Sequence, residues 1–424
     1  MKKFLALIIA LVMALSLVAC GEQKQPETPD VPDDGGDQQQ TATIKVGFIT
    51  LHDENSTYDL NFINAAKEAI ANLGLTENDY ILKTNVPEGQ ECYDAAAELA
   101  DAGCNIIFAD SFGHEPYMID AAKEHPEVQF CHSTGTRAHT EGLSNYHNAF
   151  ASIYEGRYLA GIAAGMKLNE MIEAGQFTAD QAKMGYVGAF TYAEVVSGYT
   201  SFYLGAKSVC PTVTMDVTFT GSWYDETLEK EGAQKLIAGG CKLISQHADS
   251  LGAPTACENA GIPNVSYNGS TITAGPNTYI ISSRIDWAPY YEMAIKAVMD
   301  GTEIPADYTG DLKTGSVVLT DLNTAVAAEG TQAAIDEAKA KLESGELHVF
   351  DCSTFSVSGA NVKDTMKVDA DGHLTSYMAD VNTDEAYTGD TEVVHDGYFS
   401  ESEFRSAPYF DLFIDGINTL DTAF

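Results

Sequence analysis

From Ile44 onwards, short apolar runs alternate with longer segments in which apolar residues recur at helical spacing. In the first half this pattern predicts strands at 44–50, 81–82, 105–109 and 128–132, separated by helices at 60–73, 93–102 and 115–125. The second half repeats it, with predicted helices at 155–166, 194–209 and 227–238 and predicted strands at 183–190, 213–220 and 243–247. Such alternation is typical of βαβ units, in which helices cover both faces of a parallel sheet. The sequence therefore predicts an α/β protein of two similar Rossmann-like lobes.

The chain is predicted to pass between the two lobes several times. A break near 148–154 separates the two repeats, and the runs at 279–283 and 315–319 have the composition of two further strands that join them. We therefore assign 43–148 plus 280–312 to an N-terminal lobe, and 149–279 plus 313–424 to a C-terminal lobe. The helix that follows the break is rich in glycine and alanine, which predicts very close packing against a neighbour.

The N-terminus is typical of an exported protein. Two lysines are followed by an uncharged apolar run from Phe4 to Val18, which predicts a signal peptide over residues 1–19. The segment 17–21 (LVACG) resembles a bacterial lipobox, in which Cys20 would be lipidated and become the mature N-terminus. An ordinary signal peptide with a chance cysteine is the alternative. Residues 20–42 are rich in Pro, Gln, Asp and Gly and predict a flexible tether.

Charge and motifs exclude several classes of function. Lys and Arg number 23 against 62 Asp and Glu, so the formal net charge is −39 and a nucleic-acid partner is excluded. The motifs GxSxG, HExxH, GxxxxGK[ST] and GxGxxG are absent from the sequence, so we predict a protein that is not an enzyme and that holds no metal and no cofactor. Asp369–Gly372 resembles the start of a calcium loop, but the glycine required at the sixth position is Leu374, and a hairpin turn explains it better. Seven cysteines follow Cys20 without CxxC spacing, and their pairing stays open.

In open α/β sheets, ligands bind beyond the carboxyl ends of the strands. The loops at those positions are rich in aromatic and hydrogen-bonding residues, a combination that suits a flat heterocycle held between closing lobes. Any single aromatic residue among them is as well explained by the core, and it is their clustering that favours a site. The predicted site residues are Tyr58, Asp59, Ser111, Phe112, Gly113, Phe190, Trp223, Tyr224, His247, Asp249 and Asn268, with Trp287 just after a crossover strand.

Six segments, in order, resemble those of one family: 105–113 (NIIFADSFG), 154–161 (YEGRYLAG), 194–198 (EVVSG), 222–225 (SWYD), 246–249 (QHAD) and 406–410 (SAPYF). The chain is identified over about 43–424 as a member of the basic membrane lipoprotein family of ABC-importer substrate-binding proteins, similar to the purine nucleoside receptors. The resemblance implies the type I periplasmic-binding-protein fold, with two lobes joined by three crossovers. It also implies capture of a solute between the lobes and delivery to permease and ATPase subunits.

The resemblance assigns roles to individual residues. It implies that Tyr58 stacks on a base with Asp59 beside it, and that Trp223 stacks from the other lobe. Ser111 and Gly113 match positions that offer hydroxyl and backbone donors. The basic residue on the crossover strand near the ribose site is matched by Arg284.

One departure from the family concerns the sugar. Many nucleoside-binding members hold ribose hydroxyls with an Asp in a "DSD" loop, whereas the matching stretch here is 267–270 (YNGS), without an acid. This leaves room for a free purine base or another heterocycle. As a mechanism, we expect Asp59 and Asp249 to accept N–H bonds from the ring, which gives specificity because an unpaired buried acceptor is costly.

The sequence thus predicts a lipid-anchored solute-binding protein on the extracellular or periplasmic face of the cell membrane. Its ligand is predicted to be a purine nucleoside or nucleobase, its protein partners the permease and ATPase subunits of an ABC importer, and its only membrane contact the lipid anchor. Three alternatives stay open: the same fold binding a sugar or signalling furanose, a sensor lipoprotein that partners a membrane receptor, and a nucleoside hydrolase. The last would need an aspartate cluster near the first strand, where only 52–54 (HDE) occurs.

Overall fold

The computed structural model describes residues 44–382 and 389–424. The predicted signal peptide, the lipidation site at Cys20 and the tether lie outside the described residues. In the part of the chain that is described, no helix combines the length and the apolar character needed to cross a membrane.

Each predicted strand and helix of the first half is present, with ends shifted by a few residues. The first lobe contains, in chain order, β1 (Val46–Ile49), α1 (Thr57–Asn72), β2 (Tyr80–Lys83), α2 (Gln90–Asp101), β3 (Ile106–Ala109), α3 (Glu115–Glu124), β4 (Gln129–Ser133), α4 (Ala138–Glu141) and β5 (Tyr146–Ala151). Pro116 near the start of α3 is tolerated because the first amide groups of a helix have no partner within it.

The second half repeats the strand–helix pattern. It contains α5 (Ile153–Glu173), β6 (Lys183–Gly188), α6 (Ala193–Val209), β7 (Thr214–Phe219), α7 (Glu226–Ala238), β8 (Leu243–His247), α8 (Gly252–Ala260), β9 (Asn264–Tyr267) and β10 (Tyr279–Ile285). The chain then forms α9 (Ala288–Asp300), β11 (Asp307–Gly310), β12 (Val317–Leu319) and α10 (Thr331–Ser344). The described C-terminal strands are β13 (Met366–Val368), β14 (Leu374–Ala379), β15 (Thr391–Glu392), β16 (Val394–His395), β17 (Tyr398–Phe399) and β18 (Ile417–Thr419).

Two large sheets form the centres of the two lobes. The first has the strand order β11-β5-β4-β3-β1-β2 and all its pairs are parallel. The second has the order β12-β10-β9-β8-β6-β7-β18, and of its pairs only β10 with β12 is antiparallel. The protein therefore has the predicted α/β fold with two parallel-sheet lobes, which is the type I periplasmic-binding-protein fold.

The predicted boundary at residue 280 differs from the structure. β10 belongs to the second sheet, where Ser283 lies between Tyr267 of β9 and Leu319 of β12, so the return to the first lobe comes after Ile285. There α9 contacts α1, and β11 joins the edge of the first sheet. The chain thus passes between the sheets at β5–α5, β10–α9 and β11–β12. An apolar run has the same pattern in either sheet, because hydrophobic periodicity reports burial and not the identity of the paired strand.

The glycine-rich helix α5 packs against α6 at very short range. A Cβ atom added at Gly161 would lie 2.1 Å from the carbonyl oxygen of Phe202, and one added at Gly205 would lie 2.0 Å from that of Tyr158. Real Cβ atoms do not approach backbone atoms so closely, so these positions exclude any larger residue. The prediction of close packing is confirmed.

Residues 350–424, which we call the C-terminal segment, add a small sheet of β13, β14 and β15 and place β18 beside β7. The predicted hairpin turn is confirmed, since β13 and β14 are antiparallel and Gly372 adopts φ +84°. All seven described cysteines are buried and none forms a disulfide.

Candidate ligand-binding site

The carboxyl ends of the two sheets meet at a small pocket between the lobes, which we call the central pocket. It has a volume of about 20 Å³, roughly the space of one water molecule. Seven of the predicted site residues line it. The lining residues are Leu51, His52, Tyr58, Asp59, Ser111, Phe112 and Thr134 from the first lobe and Glu194, Trp223, His247 and Asp249 from the second.

The first turn of α1 positions Tyr58 and Asp59. Ser56 caps the helix, and its hydroxyl donates to Asp59 Oδ2 at 2.5 Å, while the backbone N–H of His52 donates to Asp59 Oδ1 at 2.7 Å. Burial acts to raise the pKa of Asp59, but the contact with the His52 side chain, followed by these hydrogen bonds, outweighs it and holds the pKa below the ordinary value. Asp59 is therefore ionised, and both of its oxygens already accept hydrogen bonds within the loop.

Asp110, directly after β3, supports the same wall and was not predicted as a site residue. Its Oδ1 accepts from the N–H of Leu51 at 3.1 Å, and its carbonyl accepts from the hydroxyl of Tyr58 at 2.6 Å. Burial, and next the charge of Asp59, raise the pKa of Asp110 well above the ordinary value. The sequence pattern that points to it is its place at the carboxyl end of a buried strand.

Asp249 connects the two lobes. Its carbonyl accepts from the backbone N–H and the hydroxyl of Thr57 in the first lobe, each at 3.0 Å. Its Oδ1 accepts from Nδ2 of Asn268 at 3.1 Å. Burial, and next the carboxyl of Glu229, raise the pKa of Asp249 well above the ordinary value, so the neutral carboxyl is favoured here.

Aromatic rings from both lobes form a cluster beside the central pocket. Trp223 meets Phe190 edge to face at 5.0 Å, and Phe190 stacks on Tyr192 at 5.1 Å. Tyr192 also stacks on Phe112 of the first lobe at 5.3 Å. Phe190 thus supports Trp223 from outside the pocket, and the cluster crosses the interface between the lobes.

A second aromatic contact between the lobes is made by Tyr224, whose ring lies 5.5 Å from that of His52. His247 pairs with Glu194, its Nε2 lying 3.3 Å from Glu194 Oε1. Burial lowers the pKa of His247 against the opposing effect of that carboxylate, so the ring is held neutral. Sequence reasoning named His247 but did not name Glu194, which supplies an acceptor at the edge of the pocket.

Thr134, directly after β4, also lines the central pocket, although it is not among the predicted site residues. It adopts φ +74°, a left-handed conformation that is rare for a β-branched residue. The residue is 3% exposed, and its hydroxyl has no hydrogen-bond partner among the described residues. Backbone dihedrals of this kind leave no mark in a sequence unless the residue is glycine or asparagine.

Two predicted donors are engaged elsewhere. The hydroxyl of Ser111 and the backbone N–H of Gly113 both donate to Glu88 Oε1, at 2.5 Å and 2.8 Å. Glu88 lies in the loop before α2, far in the sequence from Ser111 and Gly113. The motif that contains these two residues therefore does not reveal that Glu88 accepts their hydrogen bonds. Their binding role stays a prediction, and it would require Glu88 to release them.

Six predicted residues do not line the central pocket, and of these Gly113, Phe190 and Tyr224 are described above. Asn268 and Arg284 line a separate cavity of about 320 Å³, the outer cleft, which they share with the face of α1. Arg284 pairs there with Asp286 at 3.2 Å. Trp287 is 1% exposed and stacks on Phe62 at 4.5 Å, within the hydrophobic core of the first lobe.

The described residues include no group of three or more His, Cys, Asp or Glu side chains placed to hold a metal ion. The arrangement offers ring faces, carboxyl groups and a neutral imidazole. Chemically it suits recognition of a small polar ring.

Comparison with known proteins identifies related chains. The family model described as ABC transporter substrate-binding protein, PnrA-like, matches residues 47–349. A purine-binding protein of Brucella abortus is 32% identical over 319 residues, which cover 74% of this chain and 85% of that protein. A Haloferax volcanii protein named as an ABC transporter glucose-binding protein is 32% identical over 232 residues, covering 55% and 56%. Among solved structures, a solute-binding protein of an ABC transporter system from Aeropyrum pernix superposes with a TM-score of 0.61 at 19% identity, covering 76% of this chain and 95% of that chain.

Proposed function

Since this chain belongs to the PnrA-like family of ABC transporter substrate-binding proteins, we propose that it binds a purine nucleobase or nucleoside between its lobes and delivers it to an ABC importer. The family consists of solute-binding proteins and not of enzymes, and such proteins act on the extracellular or periplasmic side of the membrane. Attachment through a lipid on Cys20 stays a prediction, which the mass of the mature N-terminus would check.

The observation that carries the proposal is the meeting of seven predicted residues, drawn from both lobes, in one pocket. Tyr58 and Trp223 come from opposite lobes and offer ring faces to a planar ligand. The pocket itself has room for about one water, so we propose that the lobes separate at their three crossovers to admit a ring and then close on it. The purine-binding relative supports the choice of ligand.

A protonated carboxyl at Asp249 would favour adenine over guanine. A neutral carboxyl donates one hydrogen bond and accepts another, which matches the N1 acceptor and the exocyclic N–H of adenine. Guanine presents two donors on the same edge and pairs better with a carboxylate. Because burial raises the pKa of Asp249 and so favours its neutral form, we expect adenine-type ligands to bind more tightly than guanine-type ligands.

A sugar is the second candidate ligand. The glucose-binding relative supports it, as does the lack of an acid in the loop 267–270, where the resemblance places ribose recognition. Aromatic faces and carboxylates also suit sugar hydroxyls.

Titration calorimetry with adenine, adenosine, guanosine, inosine and glucose tests the proposal. We expect adenine or adenosine to bind most tightly, and Trp223→Ala to weaken that binding at least about tenfold through loss of a stacking face. Met299→Ala, at an exposed position near the end of α9, serves as the matched control and is expected to bind like the wild type. Binding of glucose alone would establish the second candidate, and a wild-type affinity for Trp223→Ala would overturn the stacking role.

A further inference from the structure

The C-terminal segment lies beyond the residues matched by the family model and contacts both lobes. Towards the first lobe, the hydroxyl of Ser406 donates to Asp307 Oδ1 at 2.8 Å, and Asn382 Oδ1 lies 3.0 Å from Nε2 of His139. Towards the second lobe, β18 pairs with β7 and the N–H of Ala423 donates to the hydroxyl of Thr191 at 2.9 Å. The segment is therefore an integral part of the two-lobed body.

Two cavities flank the central pocket at equivalent positions of the repeated fold. The outer cleft lies between the start of α1 and Asn268, which follows β9. The second cavity, which we call the side cleft, lies between the start of α6 and Thr134, which follows β4. Asn268 and Thr134 both adopt a left-handed backbone, with φ +66° and +74°, and both donate an N–H to the neighbouring strand at 3.0 Å.

The C-terminal segment makes these two cavities different. It forms one wall of the side cleft, which has a volume of about 720 Å³, whereas the outer cleft has about 320 Å³ and none of the segment's described residues in its lining. A volume of several hundred Å³ is typical of sites for organic ligands. The side cleft also shares Phe112, Thr134 and Glu194 with the central pocket, so the two cavities are adjacent.

The lining of the side cleft is mainly apolar. It contains the rings of Phe112, Tyr192 and Phe413 together with Val196 and Pro408. Lys363 and Asp411 are paired with each other at 2.7 Å, so this part of the wall has little net charge. Arg405 also lines the cleft, and its guanidinium donates to the backbone carbonyls of Ala407, Asp380 and Pro408. The apolar part of this surface favours an apolar or aromatic group.

We propose that the side cleft is a second subsite, which takes an apolar or aromatic substituent on the exocyclic amino group of a purine in the central pocket. The proposal rests on the function proposed above. Arg284 and Asn268, which the resemblance places near the sugar, lie in the outer cleft, so the opposite edge of the base faces the side cleft. A substituted exocyclic amine keeps one N–H, so the hydrogen bond to Asp249 proposed above is retained while the nitrogen carries the substituent.

The experiment compares adenosine with N6-benzyladenosine by calorimetry on the full mature chain. We expect the benzyl derivative to bind the wild type at least about tenfold more tightly, because its ring is removed from water in the side cleft. Phe413→Ala is expected to lower this preference at least fivefold. Phe404→Ala is the matched control, since Phe404 belongs to the same segment, is 38% exposed and does not line the side cleft.

Ala193→Trp provides a second variant, because a large side chain at this half-buried position narrows the side cleft, and it is expected to abolish the preference. If adenosine binds but the benzyl derivative binds no more tightly, or if neither variant changes the preference, the subsite is refuted and the proposed function stands. If neither compound binds, the proposed function fails, and the subsite fails with it.

Discussion

Thr134 combines two unfavourable features at one residue. A left-handed backbone at a β-branched residue costs on the order of 1–3 kcal/mol, and in the described part of the chain the buried hydroxyl of Thr134 has no hydrogen-bond partner. Its counterpart Asn268, in the equivalent position of the other lobe, has its amide bonded to Asp249. Features of this kind persist where a ligand uses them, so we infer that the Thr134 hydroxyl hydrogen-bonds the ligand when the lobes close on it.

Replacement of Thr134 separates the effect of its backbone strain on stability from the effect of its hydroxyl on ligand binding. Thr134→Gly is expected to leave the melting temperature unchanged or raise it, because glycine adopts φ +74° without strain, while ligand affinity falls about fivefold through loss of one hydrogen bond. Thr134→Ser keeps the hydroxyl and is expected to retain affinity. Calorimetry and thermal denaturation of both variants measure the outcome, and full affinity in the glycine variant would assign Thr134 a purely structural role.

At the scale of elements, α5 follows the first crossover and packs against α6 of the second lobe. Close approach of the two helices depends on glycines that face backbone atoms of the partner helix. Backbone atoms cannot rotate away as a side chain can. The distance between the helix axes therefore limits the size of the side chain that fits at these positions.

Gly161→Ala tests this packing. The new methyl group would lie 2.1 Å from the Phe202 carbonyl oxygen, so we expect a loss of about 1–3 kcal/mol in the free energy of unfolding, although alanine is the better helix former. Gly232→Ala in α7 is the matched control, because its nearest neighbour is a side-chain atom at 3.4 Å, and we expect it to be neutral or stabilising by up to about 1 kcal/mol. Urea denaturation measures both, and equal stability of the two variants would contradict the close contact.

At the scale of the whole molecule, the chain carries a formal net charge of −39, yet several of its carboxyl groups are buried. Burial raises the pKa of Glu155 and of Glu229 to about 7 and that of Glu401 to about 8. Glu155 lies just after the first crossover, and its carboxylate accepts a hydrogen bond from the N–H of Leu312, which lies within the third crossover. A carboxyl whose pKa is raised by folding stabilises the protein at low pH, and this stabilisation is lost as the pH rises through the folded-state pKa.

Glu229 gives a direct test of this pH dependence. Its pKa rises from 4.5 to about 7 on folding, so the free energy of unfolding should fall by up to about 3 kcal/mol from this group as the pH rises from about 4.5 to about 8. We expect Glu229→Gln to remove this part of the dependence of the free energy of unfolding on pH, as obtained from denaturation curves measured at several pH values across that range. Glu226→Gln, at an exposed position of the same helix, is expected to keep the wild-type slope, and an unchanged slope in Glu229→Gln would refute the assignment.

The sequence alone was enough to predict the order of the secondary-structure elements, the family and part of the pocket lining. The alternation from Ile44 predicted the order of strands and helices, because periodic burial is a local property of a segment. The motifs at 105–113 and 154–161 identified the family, and residues after strand ends identified seven lining residues of the central pocket. These inferences succeeded because the carboxyl ends of parallel strands meet at one edge, whatever the details of packing.

Tertiary packing decided the rest. β10 joined the second sheet, Trp287 entered the core, and Glu88 took the hydrogen bonds of Ser111 and Gly113. The strained Thr134 and the side cleft walled by the C-terminal segment had no counterpart in any local pattern. Periodicity states that a side chain is buried, but its partner is chosen by residues far along the chain, which only the folded structure brings together.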